Sequence, residues 1–451
     1  MKVTKSTKKT EKTAVAGKKL VESYKAFLDA GKTERECVVQ IIALAEAHGY
    51  KDIASCKSLE PGDKVYVQKM NKAIALFEIG KGSIEDGMNI LGAHIDSPRL
   101  DAKQNPLYES DCITYLNTHY YGGIKKYQWV TLPLAVHGVV CKADGTVVQV
   151  NIGEDADDPV FCISDILPQL AQDQMKKTGA EIIKGEDLDV IFGLRIPSEK
   201  DGKKAILELL KKKYNIEADD LKSAELEIVP AGAARDCGLD RSMILGYGQD
   251  DRSCAFTSVA AMLESSAGKR TNCCICVDKE EIGSVGATGM ASHMFENAVA
   301  EVIARLPEGY SELSLRRSLA NSIMLSSDVN AAYDPKNSSL YDKDNSSSLG
   351  GGLVLNKYTG SRGKSGASDA NPEFIARLRG VFDKAGVSYQ MAELGKVDQG
   401  GGGTIAYLAA KYGMNVLDAG VAVLSMHAPW EIIAKEDLIQ AYAGYKAFLK
   451  I

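Results

Sequence analysis

Short apolar runs that break off on an acid or a histidine are what most constrain this chain. The sharpest is Asn272 to Val277, Asn-Cys-Cys-Ile-Cys-Val, which stops at Asp278-Lys279-Glu280-Glu281-Ile282-Gly283. A run this short and apolar, bounded by polar residues, suits a strand covered on both faces. Met88 to Ile95 has the same form and ends in His94 and Asp96, and Ile323 to Ser327 ends at Asp328. Val416 to Ser425 leads to Met426-His427, and Ile244 to Gln249 leads to Asp250-Asp251-Arg252. Helical periodicity follows several of these runs, to Ala267 after Asp250, from near Ala291 after the two glutamates, and over Lys435 to Leu449 at the end. Repeated units of strand, acid or histidine, and helix predict an α/β architecture, a mixed and largely parallel sheet with helices on both faces. In open sheets of that kind ligands bind at the C-terminal edge of the strands, where every one of these polar groups falls.

Upstream, Lys19 to Ala30 and Glu34 to His48 repeat apolar residues at helical spacing, and Thr33 with Glu36 forms a capping box for the second. Lys64 to Gln68 and Ala73 to Ile79 read as further strands. From about Asp101 to Arg235 the texture changes to β-rich segments, Gln128 to Val140, Thr146 to Ile152 and Val160 to Ile163, then Lys203 to Tyr214 and Glu225 to Val229. The series of acid-terminated runs resumes beyond this stretch. Residues 101–235 therefore read as a β-rich domain inserted into one built from 1–100 and 236–451.

A net charge of −6 gives no reason to expect nucleic acid or an anionic membrane as partner. The basic stretch Met1 to Leu20 has no apolar segment of the kind a signal peptide needs and reads as a mobile or docking arm. No apolar run is long enough to span a bilayer, so a cytoplasmic protein is expected. Ten cysteines in 451 residues are too dilute for a disulfide framework. Cys273, Cys274 and Cys276 could be thiolate ligands, but no second pair has zinc-site spacing, and buried free thiols are the alternative.

Adjacent glutamates at a strand end can divide their work, one binding a metal while its neighbour reaches the water on it. His94 and Asp96, two apart on a strand, face the same side, where the aspartate can fix the tautomer of the imidazole. Each also has an ordinary reading as a solvated turn or a polar strand end. Gly400 to Gly403 with Thr404 precedes a helix and could present backbone N–H groups to an oxyanion, or be a flexible loop. Gly360 to Ser365 imitates a phosphate loop but has Tyr358 where the first glycine belongs.

Taken with their order and spacing, Ala93-His94-Ile95-Asp96-Ser97-Pro98, Asp250-Asp251-Arg252, Asp278-Lys279-Glu280-Glu281-Ile282-Gly283, Ser327-Asp328-Val329-Asn330 and Ser425-Met426-His427 resemble the aspartyl aminopeptidase family of two-metal aminopeptidases, nearly end to end. The resemblance implies a zinc-aminopeptidase-like fold with two divalent ions per subunit, zinc first with cobalt or manganese as alternatives. One ion would be held by His94 and Asp328, the other by Glu281 and His427, with Asp250 bridging both and the Asp250–Asp251 bond cis. Glu280 would be the general base and acid beside a metal-activated hydroxide, with Asp96 as the second catalytic group. Two dications against three carboxylates and a hydroxide leave such a site neutral. Peptides with a free N-terminus are the implied substrates, and a tetrahedral dodecamer assembled through the insert the implied homo-oligomer.

One departure matters. Asp165-Ile166-Leu167-Pro168-Gln169 has glutamine where the family typically has histidine, which puts the usual preference for acidic N-terminal residues in doubt, since glutamine carries no charge. His119 and Lys396 could substitute, and Gly402, Gly403 and Thr404 complete the expected substrate contacts. A related carboxypeptidase or N-acyl amino acid deacylase, using Arg252 or Arg362 for a substrate carboxylate, is the alternative within hydrolases. A self-assembling scaffold of weak activity is the alternative outside them.

Overall fold

The computed structural model describes residues 3–196 and 201–451. The chain divides into two compact units, one made of residues 1–96, 234–426 and 431–451, the other of 97–233 and 427–430.

The first unit is built on a nine-stranded mixed sheet. In spatial order its strands are Lys51–Asp52, Lys64–Lys69, Ala73–Glu78, Thr271–Val277, Met88–His94, Ile323–Ser326, Asn415–Gly420, Leu353–Asn356 and Tyr389–Met391. The four central strands, Thr271–Val277 through Asn415–Gly420, run parallel to one another. Antiparallel pairs flank them, Ala73–Glu78 on one side and Leu353–Asn356 on the other. Why the central runs are apolar throughout follows from the pleat, which sends alternate residues to opposite faces. Cys274, Cys276, Leu91, Ala93, Leu325 and Leu417 enter one core, packed with residues of the helices Val3–Ala30, Glu34–Ala47, Gln249–Leu263, Pro372–Ala385 and Lys435–Phe448. Cys273, Ile275, Val277, Ile90, Met324 and Val416 enter a second core with the helices Met294–Arg305, Glu312–Ala320 and Ala406–Ala410. Both faces are thus covered. The buried cysteines are free thiols inside these cores, and among the described residues no group of potential metal ligands contains one.

Local signals set the element ends. Thr33 and Glu36 form the expected reciprocal cap on Glu34–Ala47. The Lys-rich stretch read as an arm is helical from Val3 onward, and Met1 and Lys2 lie outside the described residues. The helix expected near Ala291 begins at Met294, because Gly286, Gly289 and Ser284 are occupied in turn hydrogen bonds that use up the preceding residues.

The second unit holds a six-stranded sheet ordered Val147–Ile152, Leu134–Cys141, Ala224–Pro230, Arg99–Ser110, Ile113–Tyr121 and Val190–Leu194. Two expectations need correction here. Gln128 to Val140 is not one strand, since a 3-10 turn at Lys126–Gln128 precedes the strand Leu134–Cys141 and Pro133 donates no ladder hydrogen bond. Val160 to Ile163 makes only isolated bridges, Leu134 with Phe161 and Cys162 with Ile191. The long hairpin Arg99–Ser110 with Ile113–Tyr121 was not foreseen, its polar alternation giving weak contrast. Within the described residues no helix is long and apolar enough to cross a membrane.

Candidate metal centre

Three of the parallel strands end together, and the groups just beyond them meet. His94 closes Met88–His94, Asp278 follows Thr271–Val277, and Asp328 lies two residues past Ile323–Ser326. Asp250 arrives from outside the nine-stranded sheet, at a non-helical kink near the start of the segment Gln249–Leu263, and the Asp250–Asp251 bond is cis.

The His94 ring is buried and held at both nitrogens. Its Nδ1 lies 3.2 Å from Asp96 Oδ1 and 3.1 Å from the Asp96 carbonyl. Its Nε2 lies 3.2 Å from Asp250 Oδ1, with Glu280 Oε2 at 3.9 Å and Asp328 Oδ1 at 4.0 Å. Burial would lower the basicity of the imidazole, but the carboxylates of Asp250 and Asp96 outweigh it and hold the group well above its ordinary value. Asp328 is pushed well above the carboxylate range by burial and by the neighbouring charges of Asp251, Glu280 and Asp250. Asp251 moves the same way, burial first, then Asp250 against the favourable His94. Without a metal, protons on His94 and on the raised carboxyls satisfy this group, and a divalent metal could take their place, drawing on the same hard and borderline donors. Ligand atoms of His94, Asp250 and Glu281 lie within 4.8 Å of one another, as do those of His94, Asp251 and Asp328. These donors are of the kind a divalent ion takes, but the groups join His94 to Glu281 and bring in Asp251 rather than parting the ligands as the resemblance implies, and neither contains His427.

Asp96 does more than hold the imidazole. Its Oδ1 accepts the Glu280 N–H at 3.1 Å and its Oδ2 the Glu281 N–H at 3.2 Å. One fully buried carboxylate thus registers the histidine against the two glutamates. The turn that carries them is made by Lys279 at φ 69 and Gly283 at φ 97. Asp278, just before it, accepts from Thr288 Oγ1 at 2.6 Å and pairs with Lys279 at 3.4 Å.

Other expected residues fall elsewhere. His427 belongs to the second unit, at φ 64, with its Nδ1 3.0 Å from the Gly123 carbonyl oxygen. Gln169 is exposed on a loop of that unit beside the exposed Ile166, Leu167 and Leu170. His119 is exposed on the strand Ile113–Tyr121, its Nδ1 2.8 Å from the Tyr120 carbonyl. Lys396 lines a cleft of about 360 Å³ in the first unit with Tyr358, Arg362, Lys364 and Glu393. The Thr404 hydroxyl is buried and donates to Asp418 at 2.7 Å. Gly402 pairs with Gly360, and a Cβ on Gly402 or Gly403 would meet nothing within 4 Å. The helix expected beyond them is short, Ala406–Ala410. Arg252 is 1% exposed and donates to the carbonyls of Lys32 and Ile95, so it is not available to a substrate carboxylate.

Two acids escaped the sequence reading. Asp251 Oδ2 accepts the His94 N–H at 3.3 Å, and Glu431 Oε2 accepts the Asp250 N–H at 3.0 Å. Asp251 sits inside a recognised block. Glu431 has no local signal, because what makes it matter is a pairing 181 residues away.

Comparison with known proteins gives one consistent result. The family model described as Aminopeptidase I zinc metalloprotease (M18) matches residues 27–449. A relative from Clostridium acetobutylicum, described as a probable M18 family aminopeptidase 1, is 57% identical over 440 residues, covering 95% of this chain and 94% of its own. The crystal structure of an M18-family aminopeptidase from Thermotoga maritima is 41% identical, with a TM-score of 0.93 over 96% of each chain. A structure described as the S. cerevisiae mApe1 dodecamer shares the fold at 21% identity, with a TM-score of 0.76 over 95% of each chain.

Proposed function

Because the chain belongs to the Aminopeptidase I zinc metalloprotease (M18) family, we propose that it removes N-terminal residues from peptides at a two-metal centre formed by His94, Asp250, Glu281, Asp328 and His427. The observation that supports this most is the approach of Asp250, Glu280 and Asp328 to His94 Nε2. His427 enters the ligand set from the family resemblance alone, its Nδ1 lying 3.0 Å from the Gly123 carbonyl oxygen. Divalent ions bound there would polarise the scissile carbonyl and acidify water.

The chain's own residues do the rest. Glu280 is partly exposed and anchored through its amide, so its carboxylate can accept a proton from the attacking water and deliver it to the leaving nitrogen. The leaving group needs that proton because an amide anion leaves too poorly. Asp96 acts as a positioning residue in this scheme, since its oxygens are turned to His94 and to two main-chain amides. Glu280, outside the charge-neutral ligand set, adds a carboxylate that attracts the α-amino group of a substrate, which favours free N-termini over acylated ones. The burial of Arg252 weighs against a carboxypeptidase or deacylase, leaving Arg362 as the sole remaining candidate of the two for a substrate carboxylate.

The insert of residues 101–235 is proposed as the oligomerisation domain, and the tetrahedral dodecamer as the assembly, both on the family resemblance. With Gln169 in place of histidine, we expect selectivity for Asp and Glu to be weaker than the family's. The deciding experiment is hydrolysis of aminoacyl p-nitroanilides and short peptides, free or acetylated at the N-terminus, after reconstitution with zinc, cobalt or manganese. Cleavage confined to free N-termini is expected. Cleavage of acetylated substrates alone would overturn the aminopeptidase reading in favour of a deacylase.

A further inference from the structure

Around the proposed ligands stand three acids that are not assigned to an ion, and all three act on the main chain. Asp96 accepts the amides of Glu280 and Glu281, Asp251 accepts the amide of His94, and Glu431 accepts the amide of Asp250. Each neighbouring ligand backbone is thus tied to a buried acceptor. Asp96 and Asp251 lie within the sequence blocks that define the site, whereas Glu431 lies on a strand outside them.

The place of Glu431 explains why an acceptor is needed. Gly248, at φ 70, gives the segment Gln249–Leu263 no side-chain cap, and Asp250 and Asp251 depart from helical φ/ψ, so the Asp250 N–H is among those that no helix turn satisfies. Here that helix start is buried, with Gln249, Asp250 and Asp251 at most 3% exposed. Water is not at hand to satisfy the Asp250 amide, and an unsatisfied buried N–H is costly. Glu431 opens the strand Glu431–Ala434 directly opposite Gly246, which brings its side chain beside the helix start. Gln249 closes the same junction from the other side, donating through Nε2 to the carbonyls of Glu431 at 2.6 Å and Ile244 at 3.1 Å. Tyr24 in turn donates to Gln249 Oε1 at 3.3 Å.

We infer that Glu431 is a positioning residue: by accepting the Asp250 amide it fixes the main chain from which the bridging carboxylate projects, and so sets the metal affinity of the centre. This rests on the reading of Asp250 as a ligand. The role asks for an acceptor oxygen at that position, so a glutamine, whose carbonyl oxygen can take the same N–H, preserves it, while alanine abolishes it and aspartate withdraws the oxygen by one methylene.

The test measures zinc affinity of the full-length protein by competition with a chelating dye, together with the visible absorption of the cobalt form, neither of which needs turnover. Asp250→Ala should lose metal outright, and Glu431→Ala should bind zinc roughly 10–100-fold more weakly with a shifted cobalt band, the scale usual for groups that orient a metal ligand. Glu431→Gln should stay within about threefold of wild type, and Glu431→Asp should fall with the alanine variant, which keeps the test intact if alanine fails to fold. Wild-type affinity in both Glu431→Ala and Glu431→Asp would overturn the inference, as would equal damage from Glu431→Gln. Wild-type affinity in Asp250→Ala would instead overturn the ligand reading beneath it.

Discussion

Glu280 and Glu281 are neighbours with the same chemistry, and what separates them is where the turn aims each carboxylate. Both amides are pinned to Asp96, so the two side chains leave a fixed base in different directions. Glu281 supplies an atom to the group formed with His94 and Asp250, whereas Glu280 reaches only to 3.9 Å of His94 Nε2. Glu280→Gln should therefore keep wild-type metal content, read by elemental analysis, while kcat falls by roughly 10²–10⁴, the usual worth of a general acid and base. A second residue-scale prediction concerns Asp418, whose carboxyl is pushed up to about 6 by burial, against the lowering effect of Thr404 and Ser326. Between an unfolded value near 3.9 and that figure the folded protein binds the extra proton, so this group's contribution to stability is full at low pH and lost as pH rises through about 6. Asp418→Asn removes the titration and can still accept from Thr404. The stability of wild type relative to Asp418→Asn, from urea melts, should fall by up to about 3 kcal/mol between pH 4 and 7. A flat difference would place the carboxyl back in its ordinary range.

At the scale of elements, stability and site geometry can be separated. The Thr33 cap serves the helix Glu34–Ala47, so Thr33→Ala should cost about 1 kcal/mol in denaturant melts and leave metal content unchanged. Gly420, closing the strand Asn415–Gly420, is a different case, because a Cβ there would stand 1.8 Å from the Asp328 carbonyl oxygen and 2.5 Å from its carbon. Both are backbone atoms that cannot rotate away. Gly420→Ala should therefore displace Asp328 and lower bound metal together with the melting temperature, and normal metal content would show that Asp328 is not needed to hold it. These two positions also mark what the sequence could disclose. A capping box is written in four consecutive residues, and a strand buried on both faces is written in its unbroken apolar run, so Thr33 with Glu36 and Asn272 to Val277 were legible. The polar residues at strand ends were legible for the same reason, since a strand's limit is local. The close approach of Gly420 to Asp328 and the bond from Asp250 to Glu431 join distant segments, and no local pattern announces them. Pro133 and the edge bridges of the second unit blurred its strands, because their pairing is partial and their alternation weak.

For the molecule as a whole, the proposed metal centre draws on a concentration of acids buried in the first unit. Asp96, Asp250, Asp251 and Asp328 are buried within reach of His94, and the repulsion among them opposes folding unless a cation is present. Metal bound only by the folded chain stabilises it by mass action, about 4 kcal/mol when free metal is a thousandfold above its dissociation constant. Stripping with a chelator should thus abolish hydrolysis and lower the melting temperature, and zinc should restore both. The chain otherwise has ample means to stay folded, since two cores cover the nine-stranded sheet and the second unit has a sheet of its own, so the stripped protein should keep its secondary structure by circular dichroism. Light scattering on the same samples decides the assembly, a dodecamer giving twelve times the 48.5 kDa chain mass before and after stripping. A particle that dissociates on chelation would mean that the ions also organise the surfaces between subunits, and a 48.5 kDa particle with full activity would show that one chain suffices for catalysis.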